Sequence, residues 1–135
     1  VIRKKIVAIE ADMELEAAIR FMLEENYSRY PVYENDLDHV IGVLYFKDAM
    51  RAYMNKEGNV VRKIIRTPFF VHNTQSISKL FSQMQSKKIH MAIVLDEYGQ
   101  TDGIVAMEDI LEVVVGNILD EYDEEEKNKR FKGLF

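Results

Sequence analysis

Two aspartates lie at matching places in the chain, where they could bind a sugar or a phosphate group. Each follows a glycine by six residues, with Asp48 after Gly42 and Asp109 after Gly103. In both copies the glycine begins or lies in a predicted strand, and the aspartate falls in the first turn of the next predicted helix. The N–H groups of a helix N-terminus attract anions, and a carboxylate there can accept hydrogen bonds from ribose hydroxyls. A glycine beside it lets a flat ring approach the backbone.

These aspartates also have a purely structural interpretation. A carboxylate in the first turn of a helix interacts favourably with the helix dipole, by about 0.3–1 kcal/mol. One such residue is therefore weak evidence of binding. Two such aspartates at equivalent positions of a repeat favour a shared function in ligand binding.

A third candidate is the stretch Tyr27-Ser28-Arg29-Tyr30-Pro31, between a predicted helix and a predicted strand. Tyrosine offers a stacking face, serine a hydroxyl, and arginine a forked donor that suits phosphate. The alternative is that Arg29 is a solvated surface residue and that Pro31 begins an edge strand.

Hydrophobic periodicity predicts the elements that position these residues. In the first half we expect a helix at residues 14–26, with Asp12 as its N-cap, and a second helix at residues 47–54. The strands are expected at residues 5–10, 30–33 and 40–45, with a hairpin turn at residues 34–38 and a linker at 55–59. In the second half we expect strands at 69–71, 91–95 and 103–107 and helices at 77–87 and 108–119.

The two halves repeat the same order of elements. A shift of 61 residues aligns them without a gap, so that Leu23 meets Met84 and Asp48 meets Asp109. An internal duplication explains this better than chance. The predicted fold class is α+β, with two pseudo-symmetric repeats (β-α-β-β-α each) packed as one module. We expect the first repeat with its linker at residues 1–59, the second at 60–122, and an acidic tail at 123–135.

Composition argues against several classes of function. The net charge of −5 disfavours nucleic acid as a partner, and no apolar run is long enough to span a bilayer. There is no cysteine, and the three histidines lack metal-ligand spacing. No nucleophile-elbow or phosphate-loop motif supports an enzyme. The acidic run at residues 121–126 is either a solvated linker or a divalent-cation site.

The repeat with its Gly-x-x-x-x-x-Asp turns resembles a tandem pair of CBS domains, or Bateman module. Two stretches resemble the CBS pair of the CorC/HlyC group of hemolysin-like magnesium and cobalt transport proteins. They are "YSRYPVYENDLDHVIGVLYFKDAM" and "HMAIVLDEYGQTDGIVAMEDILEVVVGNILDEYDEE". The resemblance implies a regulatory module, not an enzyme, that binds AMP or ATP between its repeats, with or without Mg²⁺.

It further implies a homodimer on the cytoplasmic side of a membrane, without direct insertion into the membrane. A transmembrane transport domain would lie elsewhere in the same parent chain; because Val1 is not a natural start, we expect the chain to be a fragment.

The resemblance also assigns the binding residues. The family's Tyr/His-Ser/Thr-Arg-x-Pro turn matches Tyr27, Ser28, Arg29 and Pro31, with Arg29 expected to face phosphate. Its Thr-x-x-Asp step matches residues 106–109, so Asp109 would hold the ribose, while Ala106 replaces the threonine and removes one hydroxyl bond. In the first repeat the bulky Tyr45 holds that place, which makes Asp48 the second choice.

Three alternatives to this interpretation remain open. The chain could be a dimerisation scaffold with an empty cleft, because the threonine is missing at Ala106. It could sense divalent cations directly through its acidic tail. It could also hydrolyse nucleotides, although no base or nucleophile is visible in the sequence.

Overall fold

A computed structural model describes residues 1–119 of the chain, which form two compact units. The first unit comprises Val7–Pro68. Its central strand β2 pairs in parallel with β1 on one side and antiparallel with β3 on the other. Two helices and a short 3-10 helix, Val61–Ile64, accompany this sheet. Its elements in order are β1 (Ile9–Glu10), α1 (Leu15–Glu25), β2 (Arg29–Glu34), β3 (Asp36–Tyr45) and α2 (Phe46–Met54).

The second unit joins Val1–Ile6 to the chain from Phe69 onward and repeats the same design. Here β5 is central, parallel to β4 and antiparallel to β6. A 3-10 helix at Arg3–Lys5 precedes these elements. In order they are β4 (Phe70–His72), α3 (Ile77–Lys87), β5 (Met91–Leu95), β6 (Thr101–Ala106) and α4 (Met107–Leu119). The α+β class and the two-fold repeat are confirmed.

Each unit has its own apolar core, formed where the sheet meets its helices. In the first unit, Ile9, Met22, Tyr30 and Leu44 are almost fully buried. In the second, Leu80, Met84, Val94 and Ile110 are almost fully buried. The alternation along the strands and the helical spacing of the apolar residues therefore produced the expected burial.

The alignment of the two halves contains a one-residue shift, so the predicted gapless repeat is wrong. The buried rows of α1 and α3 match at a spacing of 62 residues, because Leu15, Ala18 and Met22 correspond to Ile77, Leu80 and Met84. After the hairpin the spacing is 61, as strand pairing shows: Arg29 pairs with Tyr45, and Met91 pairs with Ala106. The second hairpin loop is therefore one residue shorter. Leu23, which the gapless alignment placed opposite Met84, is 62% exposed.

Two local predictions, and the alternative interpretation of Pro31, are also wrong. Residues 5–10 do not form one strand, because the chain leaves the second unit after Ile6 and β1 begins only at Ile9. Asp12 does not cap α1; its carboxylate accepts a hydrogen bond from Arg62 instead, and Glu14 occupies the N-cap position. Pro31 lies in the central strand β2, not at an edge. It is tolerated there because the pairing with β1 begins only at Val32.

The two compact units interleave along the chain. Val61–Ile64 and Arg66 remain with the first unit, whereas Val1–Ile6 belong to the second. The predicted tail at residues 123–135 lies outside the described residues. Within residues 1–119, no helix combines the length and the apolar character that crossing a bilayer requires.

Candidate functional site

In the first unit the Asp48 carboxylate is held by an arginine. Arg66 donates from Nε to one oxygen at 2.7 Å and from a terminal nitrogen to the other at 3.1 Å. These hydrogen bonds hold the pKa of Asp48 below its ordinary value and raise the pKa of Arg66. The Asp48 side chain is only 16% exposed. Both of its oxygens are therefore engaged by the same chain.

Tyr45 lies beside this pair and contacts two guanidinium groups. The Arg66 guanidinium carbon is 3.8 Å from the centre of the ring, and that of Arg29 is 5.1 Å away. Both distances allow cation–π attraction. Arg51 adds a third guanidinium, 3.8 Å from Asp48. This part of an acidic chain therefore carries more positive than negative charge.

Gly42 makes room for the segment that carries Arg66. A Cβ at Gly42 would lie 2.6 Å from the end of the Ile65 side chain and 2.8 Å from the Arg66 carbonyl oxygen. The Arg66 backbone bonds to Val43 in both directions, at 2.9 Å each. The close approach that we predicted for a ligand ring is thus made by the chain itself in this repeat.

The turn from Tyr27 to Pro31 is fixed at both ends. The buried Tyr30 hydroxyl accepts from the Tyr27 N–H at 2.8 Å and donates to the Met22 carbonyl at 3.0 Å. The Ser28 carbonyl accepts from the N–H of Phe46, the first residue of α2, at 2.9 Å. Tyr27 itself is largely exposed, so the turn presents an aromatic ring and the neighbouring arginine from a rigid support.

In the second unit Asp109 serves as a cap at the start of α4. Its carboxylate accepts from the Ala106 N–H at 3.2 Å. Within residues 1–119 no lysine or arginine side chain forms an ion pair with it. The cation near it is the Val1 ammonium group, whose pKa the charge of Asp109 raises, although burial lowers that pKa overall. The place that Arg66 takes in the first unit is held by Val1, whose backbone bonds to Ile104 as that of Arg66 bonds to Val43. The two Gly–Asp turns therefore share a backbone but differ in chemistry.

The seven predicted binding residues fall into two groups. The first unit contains Tyr27, Ser28, Arg29, Pro31 and Asp48, and the second contains Ala106 and Asp109. Arg29 and Tyr45 are directly paired across β2 and β3, which brings the predicted turn beside the N-terminus of α2. Sequence reasoning missed Arg66, which lies 18 residues from Asp48 and carries no local motif.

Other chemistry is sparse in the described part of the chain. Residues 1–119 contain no cluster of three or more His, Asp or Glu side chains that could hold a metal ion. His39 is exposed and contacts Asp36. The acidic run at residues 121–126, the predicted cation site, lies outside the described residues.

Comparisons with known proteins support one family. The family model for the CBS domain matches residues 1–55 and 61–116. Over 92% of its length the chain is 41% identical to the UPF0053 protein YugS of Bacillus subtilis and 35% identical to the magnesium and cobalt efflux protein CorC of Salmonella typhimurium. It spans only 29% and 43% of those proteins.

A solved structure is also similar: the CBS domain of the bacterial CNNM/CorC family Mg²⁺ transporter in complex with ATP. It is 39% identical, with a TM-score of 0.81, and the match covers 86% of this chain and 83% of that one.

Proposed function

Because the chain belongs to the CBS-domain family, as a CBS pair of the CNNM/CorC type, we propose that it binds an adenosine nucleotide and thereby regulates ion transport. The transport domain would be part of the same parent chain, with this module on the cytoplasmic side of the membrane. The chain spans less than half of its curated relatives, which leaves room for such a domain. The module itself would be a regulator and would not hydrolyse its ligand.

One observation carries the proposal: Asp109 lies in the first turn of α4 and forms no ion pair with a lysine or arginine within residues 1–119. Its single bond to the Ala106 N–H uses one carboxylate oxygen, Oδ2. A carboxylate placed in this way can accept hydrogen bonds from two neighbouring hydroxyls. Ala106 supplies no hydroxyl, so we expect the ribose to depend strongly on Asp109.

The turn in the first unit supplies groups that suit the rest of a nucleotide. Tyr27 offers an exposed ring for stacking on a base. Arg29, whose guanidinium carbon lies 5.1 Å from the centre of the Tyr45 ring, offers a forked donor that suits a phosphate. The related structure that holds ATP supports the choice of ligand. We therefore assign phosphate to Arg29, while Ser28 and Pro31 shape the turn.

The first experiment is isothermal titration calorimetry with AMP, ADP and ATP, each with and without Mg²⁺. We expect binding of at least one of them and a loss of affinity of roughly tenfold to hundredfold in Asp109→Asn, since a hydrogen bond to a charged group contributes about 1.5–3 kcal/mol. Glu112→Gln is the matched control, because it removes the same charge from the exposed face of the same helix. Equal affinities in the two variants would refute the role of Asp109.

Arg29 can be tested separately. Arg29→Ala should weaken ATP more than adenosine, because only the former carries the phosphates that a guanidinium recognises. Arg20→Ala is the control: Arg20 is exposed on α1 and pairs with Glu16. If ATP and adenosine weaken equally in Arg29→Ala, then Arg29 does not contact phosphate. Release of inorganic phosphate during incubation with ATP would contradict the regulatory assignment.

A homodimer is the second part of the proposal, and two exposed apolar surfaces favour it. On α4, Leu111, Val115 and Leu119 recur at every fourth residue and are 44%, 51% and 81% exposed. Along α2, a hollow of about 490 Å³ is lined mainly by apolar atoms of Phe46, Met50 and Met54. Exposed apolar patches of this kind mark interaction sites.

The dimer is tested by the molar mass in solution, measured by light scattering after size-exclusion chromatography. Val115→Glu should convert a dimer into a monomer, because it places a charge in the centre of the apolar row of α4. Glu112→Gln, on the same helix but outside the row, should leave the mass unchanged. A monomeric parent chain would refute this part of the proposal and also exclude the dimerisation scaffold as an alternative.

A further inference from the structure

The two Gly–Asp turns have the same backbone, but an arginine holds the aspartate in only one of them. At the start of α2, both oxygens of Asp48 are bonded to Arg66, at 2.7 and 3.1 Å. At the start of α4, the hydrogen bond of the equivalent Asp109 is to the Ala106 N–H, and the nearby cation is the Val1 ammonium group rather than an arginine, among residues 1–119. The difference arises at one position, because Val1 holds in the second unit the backbone place of Arg66.

The position of Arg66 is fixed by several contacts. Its backbone pairs with Val43, and its carbonyl oxygen lies where a Cβ of residue 42 would be. From there the side chain crosses the face of Tyr45 at 3.8 Å before it reaches Asp48. Tyr45 is only 8% exposed, so its buried ring gives the guanidinium a fixed surface to pack against. The Arg66 side chain is 46% exposed, so it is the contacts with the Tyr45 ring and with both Asp48 oxygens that hold the guanidinium in place.

The guanidinium also resembles the ligand group that it replaces. Two parallel N–H donors on a carboxylate occupy the same acceptor sites that two ribose hydroxyls would use. Tyr45, covered by Arg66, holds the strand position that Ala106 holds in the second unit, and its ring is much larger than the alanine methyl group. A nucleotide at Asp48 would have to displace both.

We propose that Arg66 is a built-in occupant of the first-repeat turn. By bonding to Asp48 over Tyr45 it excludes nucleotide from that turn, so that each chain binds one nucleotide, through Asp109. This inference rests on the proposed nucleotide function and adds its stoichiometry. Arg66 acts here as a specificity-determining residue, not as a ligand of phosphate.

The test is the number of nucleotides bound per chain, measured by calorimetry at saturating ligand. The wild-type chain should bind one, and Arg66→Ala should bind a second, more weakly than the first. The double variant with Arg66→Ala and Tyr45→Thr should tighten that second site, because it removes the bulk and adds a hydroxyl. Adding Asp48→Asn to either variant should abolish the second site alone.

Arg51→Ala is the matched control. It removes one positive charge near Asp48, but Arg51 does not bond to both oxygens and its side chain is 67% exposed. The Arg51→Ala variant should still bind one nucleotide per chain. Thermal unfolding of each variant, followed by circular dichroism, verifies that the stoichiometries refer to folded chains.

The outcomes separate this inference from the nucleotide function. Two nucleotides on the wild-type chain, or one on both Arg66 variants, would overturn the inference and leave the function intact. Loss of the wild-type site in Arg66→Ala would also overturn it, because Arg66 would then be a ligand. If the wild type binds none but Arg66→Ala gains a site that depends on Asp48, exclusion by Arg66 holds, while the predicted stoichiometry of one and the function of the natural chain both fail. No binding to any variant would refute both.

Discussion

The hydroxyl of Tyr30 fixes the turn that precedes β2, and its removal tests how firmly that turn is held. The ring is fully buried, and the hydroxyl lies between the end of α1 and the N–H of Tyr27. Burial raises the pKa of Tyr30, which favours the neutral phenol that can donate to the Met22 carbonyl. Tyr30→Phe removes one oxygen and leaves the ring in place.

The size of the effect follows from what each partner retains. The Met22 carbonyl still accepts from the Asn26 N–H at 2.8 Å, so its loss is that of a single net hydrogen bond, about 0.5–1.5 kcal/mol. The Tyr27 N–H loses its acceptor, which costs about 1–3 kcal/mol where water does not replace it. Because Tyr27 is exposed, the lower end applies. We expect the free energy of unfolding to fall by about 1.5–2.5 kcal/mol, or roughly 5–10 °C in Tm.

Urea and thermal unfolding measure this change, with Tyr98→Phe as the control. Tyr98 is 81% exposed, and its substitution should change stability by less than about 0.5 kcal/mol. A second readout is alkaline pH. Since the folded pKa of Tyr30 is raised, its contribution is present below about pH 10 and is lost above it. The wild type should therefore lose stability there that Tyr30→Phe does not. Equal stability of the two phenylalanine variants would refute the reasoning.

Three further predictions concern the two Gly–Asp turns. Gly42→Ala should destabilise the chain by about 1–3 kcal/mol in urea unfolding, because its Cβ would lie 2.8 Å from the Arg66 carbonyl oxygen. Gly116→Ala is the control and should not destabilise the chain, because nothing lies within 4 Å of its Cβ. Equal losses of stability in the two variants would contradict this prediction. Because the pKa of Asp48 is lowered in the folded state, its contribution to stability is present above about pH 4 and is lost as pH falls further. Asp48→Asn should flatten that part of the profile of stability against pH, measured by urea unfolding. An unchanged profile would argue against the pairing of Asp48 with Arg66. Ala106→Thr should tighten nucleotide binding in calorimetry by about twofold to tenfold, whereas Ala106→Val, of the same shape, should not; equal effects would mean that the hydroxyl makes no bond.

Much of the fold was predictable because amphipathic patterns report burial directly. The helix at residues 77–87 and the strand at 91–95 have their predicted bounds. The offset between the repeats was harder to predict. An apolar stripe on a helix is wide enough that a shift by one residue still places many apolar residues opposite one another. Only strand pairing, at Arg29–Tyr45 and Met91–Ala106, identifies the shorter hairpin.

The errors of local interpretation have a common cause. Asp12 has the right type and place for an N-cap, yet its carboxylate bonds to Arg62, 50 residues away in the chain. Asp48 has the right place for a ribose ligand, yet Arg66 reaches it from beyond the end of the repeat's second helix. An aspartate near a helix start indicates that a carboxylate is available there. It does not indicate which donor will take it, since that depends on tertiary contacts.

The two turns therefore show that a repeated motif can serve the fold in both copies while its ligand chemistry differs between them. The backbone is the same in both units, and Gly42 is needed because the segment that carries Arg66 crosses the strand there. Ile2 crosses Gly103 in the same antiparallel way. The glycine is thus explained by the fold alone, and the ligand chemistry lies in the residues that can differ: Tyr45 against Ala106, and Arg66 against Val1. A binding site in such a repeat is found by asking which copy has a carboxylate that no arginine holds by both oxygens, as is the case for Asp109 within residues 1–119.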